Sequence, residues 1–353
     1  MNIKITRAET LKAKPSNEED LGFGKYYTDH MFMMDWSVDE GWHNAQIIPY
    51  GPIPMDPASM VLHYAQETFE GLKAYRNGDD ILIFRPEMNA LRMQKSNERL
   101  CMAEVPEDIF VEAVEALVRY EKDWIPSSEG TSLYIRPFCF ATEAAVGVHP
   151  ATSYKFMVIL SPVGQYYPEG VNPVKIFVED EYVRAVVGGT GFAKCGGNYA
   201  ASIIGQVKAQ DAGYTQVLWL DGVHRTYVEE VGTMNVMFVV DGEILTPPLE
   251  GSVLPGITRD SCITILKDWG YTVKETHIDI NDLMAWAKSG KLQEAFGTGT
   301  AAVISPIGEL YYKGDEQIIN NFETGEVTQR LYETLTGIQW GKIADPYGWV
   351  RKV

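Results

Sequence analysis

Nothing in this 353-residue chain approaches the run of about twenty apolar residues that a membrane span requires. The N-terminal stretch MNIKITRAETLKAK is basic but lacks the apolar core of roughly 7–15 residues that marks a secretory signal, so a cytoplasmic location is expected. Cysteine is scarce: Cys101, Cys139, Cys195 and Cys262 are scattered without a C-x-x-C pair. That spacing argues against a zinc site, a thioredoxin-type motif and a disulfide framework, and leaves buried reduced thiols as the expectation. Positive charge is also in short supply, with 30 Lys and Arg against 48 Asp and Glu, a net charge of -18. Such a surface repels phosphate backbones and anionic lipids, so neither nucleic acid nor a membrane is an expected partner, although a local basic pocket can still take a small anion. Internal repeats and low-complexity tracts are missing too, which sets aside solenoids, propellers and disordered tails.

What is present is enough chain for two hydrophobic cores. Bulky apolar runs at Ile81–Phe84, Ser132–Phe140 and Tyr154–Leu160 read as strands. Pro86 stands where a first-turn proline opens a helix running to about Leu100, and a second helix is expected from about Glu107 to Trp124. In the latter, Phe110, Val114, Leu117 and Val118 repeat with the period of a core-facing stripe. Beyond the Pro- and Gly-rich stretch Ser161–Gly170, strand-like runs at Val174–Val178, Gln216–Leu220 and Asn235–Val240 alternate with helical runs at Tyr199–Ala212, Gly256–Trp269 and Ile280–Lys288. The expected organisation is α+β: a small N-terminal domain over 1–162, a linker over 163–173 and a larger domain over 174–353, for which a barrel-like sheet is plausible.

Four segments carry candidate chemistry. In Gly188-Gly-Thr-Gly-Phe-Ala-Lys-Cys-Gly-Gly-Asn-Tyr199, Lys194 sits between two glycine clusters ahead of a helix. Neither a Walker A loop nor the dinucleotide fingerprint fits, since Lys194 follows alanine and precedes cysteine. Glycines on both sides let backbone approach a flat ligand, which suits an amine that must reach a bound carbonyl. In Tyr227-Val-Glu-Glu-Val-Gly-Thr-Met-Asn-Val-Met237, strand alternation puts Glu229 and Glu230 on opposite faces, and the inward one needs a cationic partner. Gly251-Ser-Val-Leu-Pro-Gly-Ile-Thr-Arg-Asp260 reads as a loop entering a helix near Gly256, whose free N–H groups and dipole suit a phosphate. Phe296-Gly-Thr-Gly-Thr-Ala-Ala302 is a turn with hydroxyls and amides able to complete an anion site. Singly, a solvated lysine and ordinary turns are the blander accounts.

Taken in order, these segments resemble the branched-chain aminotransferases of the fold type IV pyridoxal-phosphate enzymes. The resemblance begins at Phe23-Gly-Lys-Tyr-Tyr-Thr-Asp-His-Met31 and continues through His63-Tyr64, Phe69-Glu-Gly-Leu-Lys73, Phe84-Arg-Pro86, Asn89-Ala-Leu-Arg-Met93, Leu133-Tyr-Ile-Arg-Pro137 and Gly147-Val148. It implies a D-amino acid aminotransferase-like fold, a homodimer with shared sites, and transfer of the amino group of leucine, isoleucine or valine to 2-oxoglutarate, giving the branched-chain 2-oxo acid and glutamate. Pyridoxal 5'-phosphate is the implied cofactor, and no metal is implied.

By the same resemblance Lys194 is the catalytic residue, holding the cofactor covalently and then moving a proton between substrate Cα and cofactor carbon. Glu230 pairs with the pyridine nitrogen and Tyr199 with the ring's phenolic oxygen, leaving Glu229 as the outward carboxylate. Arg92, the amides of Ile257 and Thr258, and Thr300 hold the phosphate, with Thr233 also at the cofactor. Phe23, Tyr64, Phe69, Tyr134 and Val148 line the side-chain pocket, Val148 in the neighbouring subunit's site. Arg136 meets the second carboxylate of glutamate, and Thr233, Thr300 and Ala301 face the substrate α-carboxylate. Ala302 and Ser305 stand where animal members carry a redox-sensitive C-x-x-C, so thiol regulation of that kind is not expected. D-amino acid aminotransferases and aminodeoxychorismate lyases share the lysine, glutamate and phosphate cup but lack the block at 23–31. A non-catalytic carrier of the same fold is the rival from another class.

Overall fold

The computed structural model describes residues 1–164 and 171–353 and divides them into two compact units, each built on a nine-stranded sheet. The expected linker at 163–173 lies partly outside the described residues. At its described start, Val163 is not linker but the last residue of a strand, Ser153–Val163, paired with Ser132–Ala141.

The first unit opens with a hairpin the sequence reading did not assign, His30–Ser37 against Gly41–Pro49. Its sheet runs in the order Lys4–Ile5, Gly41–Pro49, His30–Ser37, Ser153–Val163, Ser132–Ala141, Leu72–Asn77, Asp80–Phe84 and Val350–Lys352, with Glu67–Phe69 paired to Ser132–Ala141. Two helices follow the strand pair Leu72–Asn77 and Asp80–Phe84. The first, Pro86–Arg99, starts at the proline, which costs nothing there because a first-turn N–H has no intrahelical acceptor. The second, Glu107–Tyr120, buries Phe110, Val114, Leu117 and Val118 completely against the sheet. The expected extension to Trp124 is a separate 3-10 turn, Lys122–Trp124. Glu121 leaves helical geometry at φ -99°, ψ 18°, and its buried carboxylate bonds the His30 ring.

The expected continuous domain over 174–353 differs from the structure in two places. Val350–Lys352 belongs to the first unit, where it pairs antiparallel with Asp80–Phe84. Ala193–Gly196 also belongs to the first unit, because the Lys194 carbonyl accepts from Phe69 N–H at 3.0 Å.

The second unit's sheet runs Val228–Val231, Gln216–Leu220, Val174–Glu179, Val303–Tyr312, Leu292–Gly299, Asn235–Val240, Glu243–Thr246 and Val273–Glu275. Val228–Val231 heads this order and Asn235–Val240 is sixth, yet Val231 and Met234 form a bridge across the turn joining them. The sheet must therefore curl back on itself, and it forms a half-barrel. Gly232 makes the turn in the left-handed region at φ 57°. The helices Gly196–Asp211, Ile257–Asp268 and Ile280–Ser289 fall within two or three residues of their expected limits. No helix among the described residues is long and apolar enough to cross a membrane.

Candidate active site

The residues singled out in the sequence divide between the two units. In the first, Lys194 is pinned through its backbone on both sides. Its N–H donates to Ser96 Oγ at 2.9 Å on the helix Pro86–Arg99, and its carbonyl accepts from Phe69 on the strand Glu67–Phe69. Two residues on, Gly196 N–H donates to the Glu67 carboxylate, and a Cβ at that position would collide with the same carboxylate. The glycine after the lysine is thus fixed by a close approach, while the lysine Nζ stands 4.8 Å from the centre of the Phe69 ring. Desolvation, reinforced by the Arg92 charge, brings the Lys194 ammonium from its ordinary 10.5 down to about 8, with Glu70 opposing the shift.

Arg92 is buried and gripped bidentately by Glu70, Nε to Oε1 at 2.8 Å and Nη2 to Oε2 at 2.7 Å. Asn89 Nδ2 donates to the same Oε2 at 2.7 Å. Glu70 has no exposed surface, so the plane of the Arg92 guanidinium is set from behind. The sequence reading gave Glu70 no role, although it lies in the matched block Phe69–Lys73; an acid in a largely apolar strand pair was the available signal. Glu70→Ala removes the bidentate counter-charge of a buried guanidinium and is expected to cost about 3–5 kcal/mol of stability, checked by denaturant unfolding. A loss below about 1 kcal/mol, the value of a solvent-exposed pair, contradicts this arrangement.

Beside Lys194 lies an aromatic group with one cation. Phe23 and Tyr134 meet edge to face at 4.8 Å, and the Arg136 guanidinium sits 4.7 Å from the Phe69 ring centre and 5.3 Å from that of Tyr134. Arg136 Nη2 also donates to Tyr134 Oη at 3.0 Å. Phe23, Phe69, Tyr134 and Arg136 are thereby brought together. Tyr64 and Val148 stand at the surface, 38% and 83% exposed, on a patch shared with Leu62 and Val146, whose carbonyl accepts from Tyr64 Oη.

In the second unit, Glu230 is buried and paired with Arg184 Nη1 at 2.6 Å. Asn235 Nδ2 lies 3.3 Å from its Oε1 and donates to Leu254 O at 2.8 Å. Arg184, itself buried, gave no sequence signal beyond a lone cation in a mostly apolar stretch. The expectation that Glu229 points outward is corrected. It does lie on the face opposite Glu230, but that face is covered too, and Glu229 is 7% exposed. Burial raises its pKa above the usual carboxylate range, against the hydrogen bond from Ser252.

The helix Ile257–Asp268 begins where expected, with Gly256 as N-cap and no side-chain cap. A side chain at Gly256 would run into Asn235, so the entry to this helix lies against the strand following Glu230. Ile257 and Thr258 are buried in its first turn. Thr300 and Ala301 form the half-buried turn between Leu292–Gly299 and Val303–Tyr312, and the buried Thr298 hydroxyl beside it has no hydrogen-bond partner among the described residues. Thr233 is exposed in the turn after Glu230, and Tyr199 is half-buried on Gly196–Asp211.

Residues 67–310 match the model of the class IV amino-transferases. The branched-chain-amino-acid aminotransferase 2 of Bacillus subtilis (strain 168) is 54% identical over 352 residues, 99% of this chain and 97% of that one. This chain belongs to the branched-chain aminotransferases of class IV. The branched-chain-amino-acid aminotransferase of Mycolicibacterium smegmatis is 50% identical, over 98% of this chain and 94% of its own. Among solved structures, the branched-chain amino acid aminotransferase from Escherichia coli is similar at a TM-score of 0.74 and 27% identity, covering 92% of this chain and 98% of that one. The T.th. branched-chain amino acid aminotransferase with pyridoxamine 5'-phosphate is similar at a TM-score of 0.75 and 29% identity, covering 90% of this chain and 97% of that one.

Proposed function

We propose that this branched-chain aminotransferase moves the amino group of leucine, isoleucine or valine to 2-oxoglutarate with pyridoxal 5'-phosphate, and that Lys194 carries the cofactor. The observation that bears the most weight is the Lys194 amine, with a pKa near 8 on a backbone bonded to two different elements. A lysine chosen only for surface charge has no need of either property.

The residues present fit this cofactor. A desolvated amine suits its carbonyl, a buried carboxylate at Glu230 suits a protonated ring nitrogen, and a helix start without a side-chain cap suits its phosphate. Lys194, Tyr199, Glu230, Arg92, Ile257, Thr258, Thr233 and Thr300 are the proposed holding set. When bound, the cofactor supplies an electron sink for the pair left at the substrate Cα. Lys194 Nζ takes and returns the Cα proton, a task suited to an amine poised near neutral pH. Glu230 holds a proton at the ring nitrogen, and Arg184 offsets the cost of keeping that carboxylate charged in a buried place.

Phe23, Tyr64, Phe69 and Tyr134 give the substrate side chain an apolar surface, to which Val148 contributes in the neighbouring subunit's site, and Arg136 answers the second carboxylate when glutamate is bound. Its packing on two rings keeps the guanidinium usable beside an aliphatic side chain. Thr233, Thr300 and Ala301 hold the α-carboxylate. The exposed apolar patch Leu62, Tyr64, Val146 and Val148 supports a homodimer in which a second copy covers it. The four free thiols are in keeping with a reducing, cytoplasmic setting.

Visible absorption of the purified protein tests this reading. A yellow band that fades with L-leucine and returns with 2-oxoglutarate supports it; no band after the cofactor is supplied removes it. The rate at which cofactor-free protein captures pyridoxal phosphate should also depend on pH. The neutral amine is the nucleophile, so lowering the lysine pKa shifts the rise of that rate downward. The rate is expected to climb through a midpoint near 8 and level off above it. A rate still rising at the ordinary lysine value of 10.5 would show that Lys194 is not desolvated.

A further inference from the structure

On the side of the strand Val228–Val231 reached by Glu229, the second unit holds a cavity of about 230 Å³. Its walls are mostly apolar, from Val187, Val223, Val228, Pro247, Pro248 and Val253. One group in it is out of keeping with those walls. Glu229 lines the cavity with over nine-tenths of its surface buried, and only one of its oxygens is satisfied. Oε1 accepts from Ser252 Oγ, whereas Oε2 is buried with no hydrogen-bond partner among the described residues.

The other carboxylates of the lining are already committed. Asp221 accepts from the N–H groups of Val223, His224, Thr226 and Tyr227 at 2.6 to 3.1 Å, and these bonds pull its pKa to about 2. Glu250 pairs with His277 Nε2 at 3.2 Å. The Tyr227 ring stands 5.0 Å from the His277 ring and 6.2 Å from that of His224, giving the cavity an aromatic side. Arg184 is a favourable charge for Glu229, but it donates to the Ser252 and Gly191 carbonyls, and its ion pair is with Glu230. Among the described residues no lysine or arginine lines the cavity.

A buried carboxylate oxygen without a donor is costly, and a ligand bringing both an N–H and a positive charge relieves that cost. Among the described residues no group of three ligating side chains is arranged for a metal ion, so an organic cation fits better than a metal. We propose that this cavity is a second ligand site, which takes a small alkyl cation with N–H donors. The head group bonds Glu229 Oε2, and a short aliphatic body lies against the valines and prolines and beside Tyr227. The site is separate from the residues proposed for cofactor and amino acid, and Glu229 is not one of them.

The test is titration calorimetry of the holoenzyme at pH 8 with n-butylguanidinium, whose head group does not add to the cofactor's carbonyl as a primary amine does. Saturable binding of one probe per chain is expected. Glu229→Gln keeps the shape and an acceptor for Ser252 but removes the charge, and should weaken binding by about tenfold or more, the loss typical of one hydrogen bond to a charged group. Val187→Trp, at a rim position 63% exposed, leaves Glu229 in place and should block entry. The neutral isostere n-butylurea should show the same loss in the native protein. No saturable binding by the native protein, equal affinity in Glu229→Gln, or equal affinity for the urea overturns the proposal. If Glu229→Gln fails to fold, undiminished binding by Val187→Trp overturns it as well.

Discussion

Lys194→Ala folds and loses transamination. With L-leucine and 2-oxoglutarate, kcat is expected to fall by about a thousandfold or more, since a positioned acid–base group alone contributes roughly 100- to 10,000-fold and the covalent hold on the cofactor is lost with it. The fold should survive because the contacts that place residue 194 are made by its backbone. The N–H to Ser96 Oγ and the carbonyl to Phe69 N–H do not involve the side chain that alanine lacks. Removing a desolvated amine also takes away a cation beside Arg92, a like charge whose loss eases the neighbourhood. The measurement is steady-state turnover alongside thermal unfolding. Native-like turnover ends the proposed mechanism; lost activity with a collapsed melting temperature shows instead that the side chain holds the structure.

Glu230→Gln should have the second largest effect, and on two properties together. Without the carboxylate the ring nitrogen loses the group proposed to keep it protonated, and kcat is expected to drop by about 100- to 1,000-fold, as when one preorganised electrostatic contact is deleted elsewhere. Arg184, buried and 2.6 Å away, is then left without its counter-charge, at a cost of about 3–5 kcal/mol. KM for leucine should change far less than kcat, because this carboxylate is proposed to act on the ring and not on the amino acid. A variant that keeps more than half of the native kcat at saturating cofactor removes Glu230 from that role. If Arg184→Met in the same background restores stability without restoring kcat, the two effects are separate.

Much of the fold was legible because its period is local. The stripe Phe110, Val114, Leu117 and Val118 reads as a core face from spacing alone, and all four are fully buried. Gln216–Leu220 and Asn235–Val240 fall on their expected limits, since a fully buried strand is a continuous apolar run with little to confuse it. What was hidden depends on partners distant in sequence. Ser161–Val163 looks like the start of a linker until Ser132–Tyr134 is seen beside it. Glu229 follows the alternation rule but is not outward, because alternation says which face a residue takes and not whether something covers that face. At the candidate site, Lys194 was marked by its glycine-flanked segment, Glu230 and Arg92 were picked out through the family resemblance, and Glu70 and Arg184 were given no role. A counter-ion matters through a distance, and composition carries no distances.

The strand Val350–Lys352 sets an order on how the protein can be made. It closes the edge of the first sheet beside Asp80–Phe84, with Arg351 reaching Glu87 at 2.8 Å. Asn77 donates to the Gly341 carbonyl across 264 residues of sequence. During synthesis, Asp80–Phe84 therefore waits for a partner strand that the ribosome delivers much later, and it remains an open strand edge in the meantime. Temporary cover for that edge, by a chaperone or by fast completion of translation, guards a nascent chain whose early half cannot finish alone.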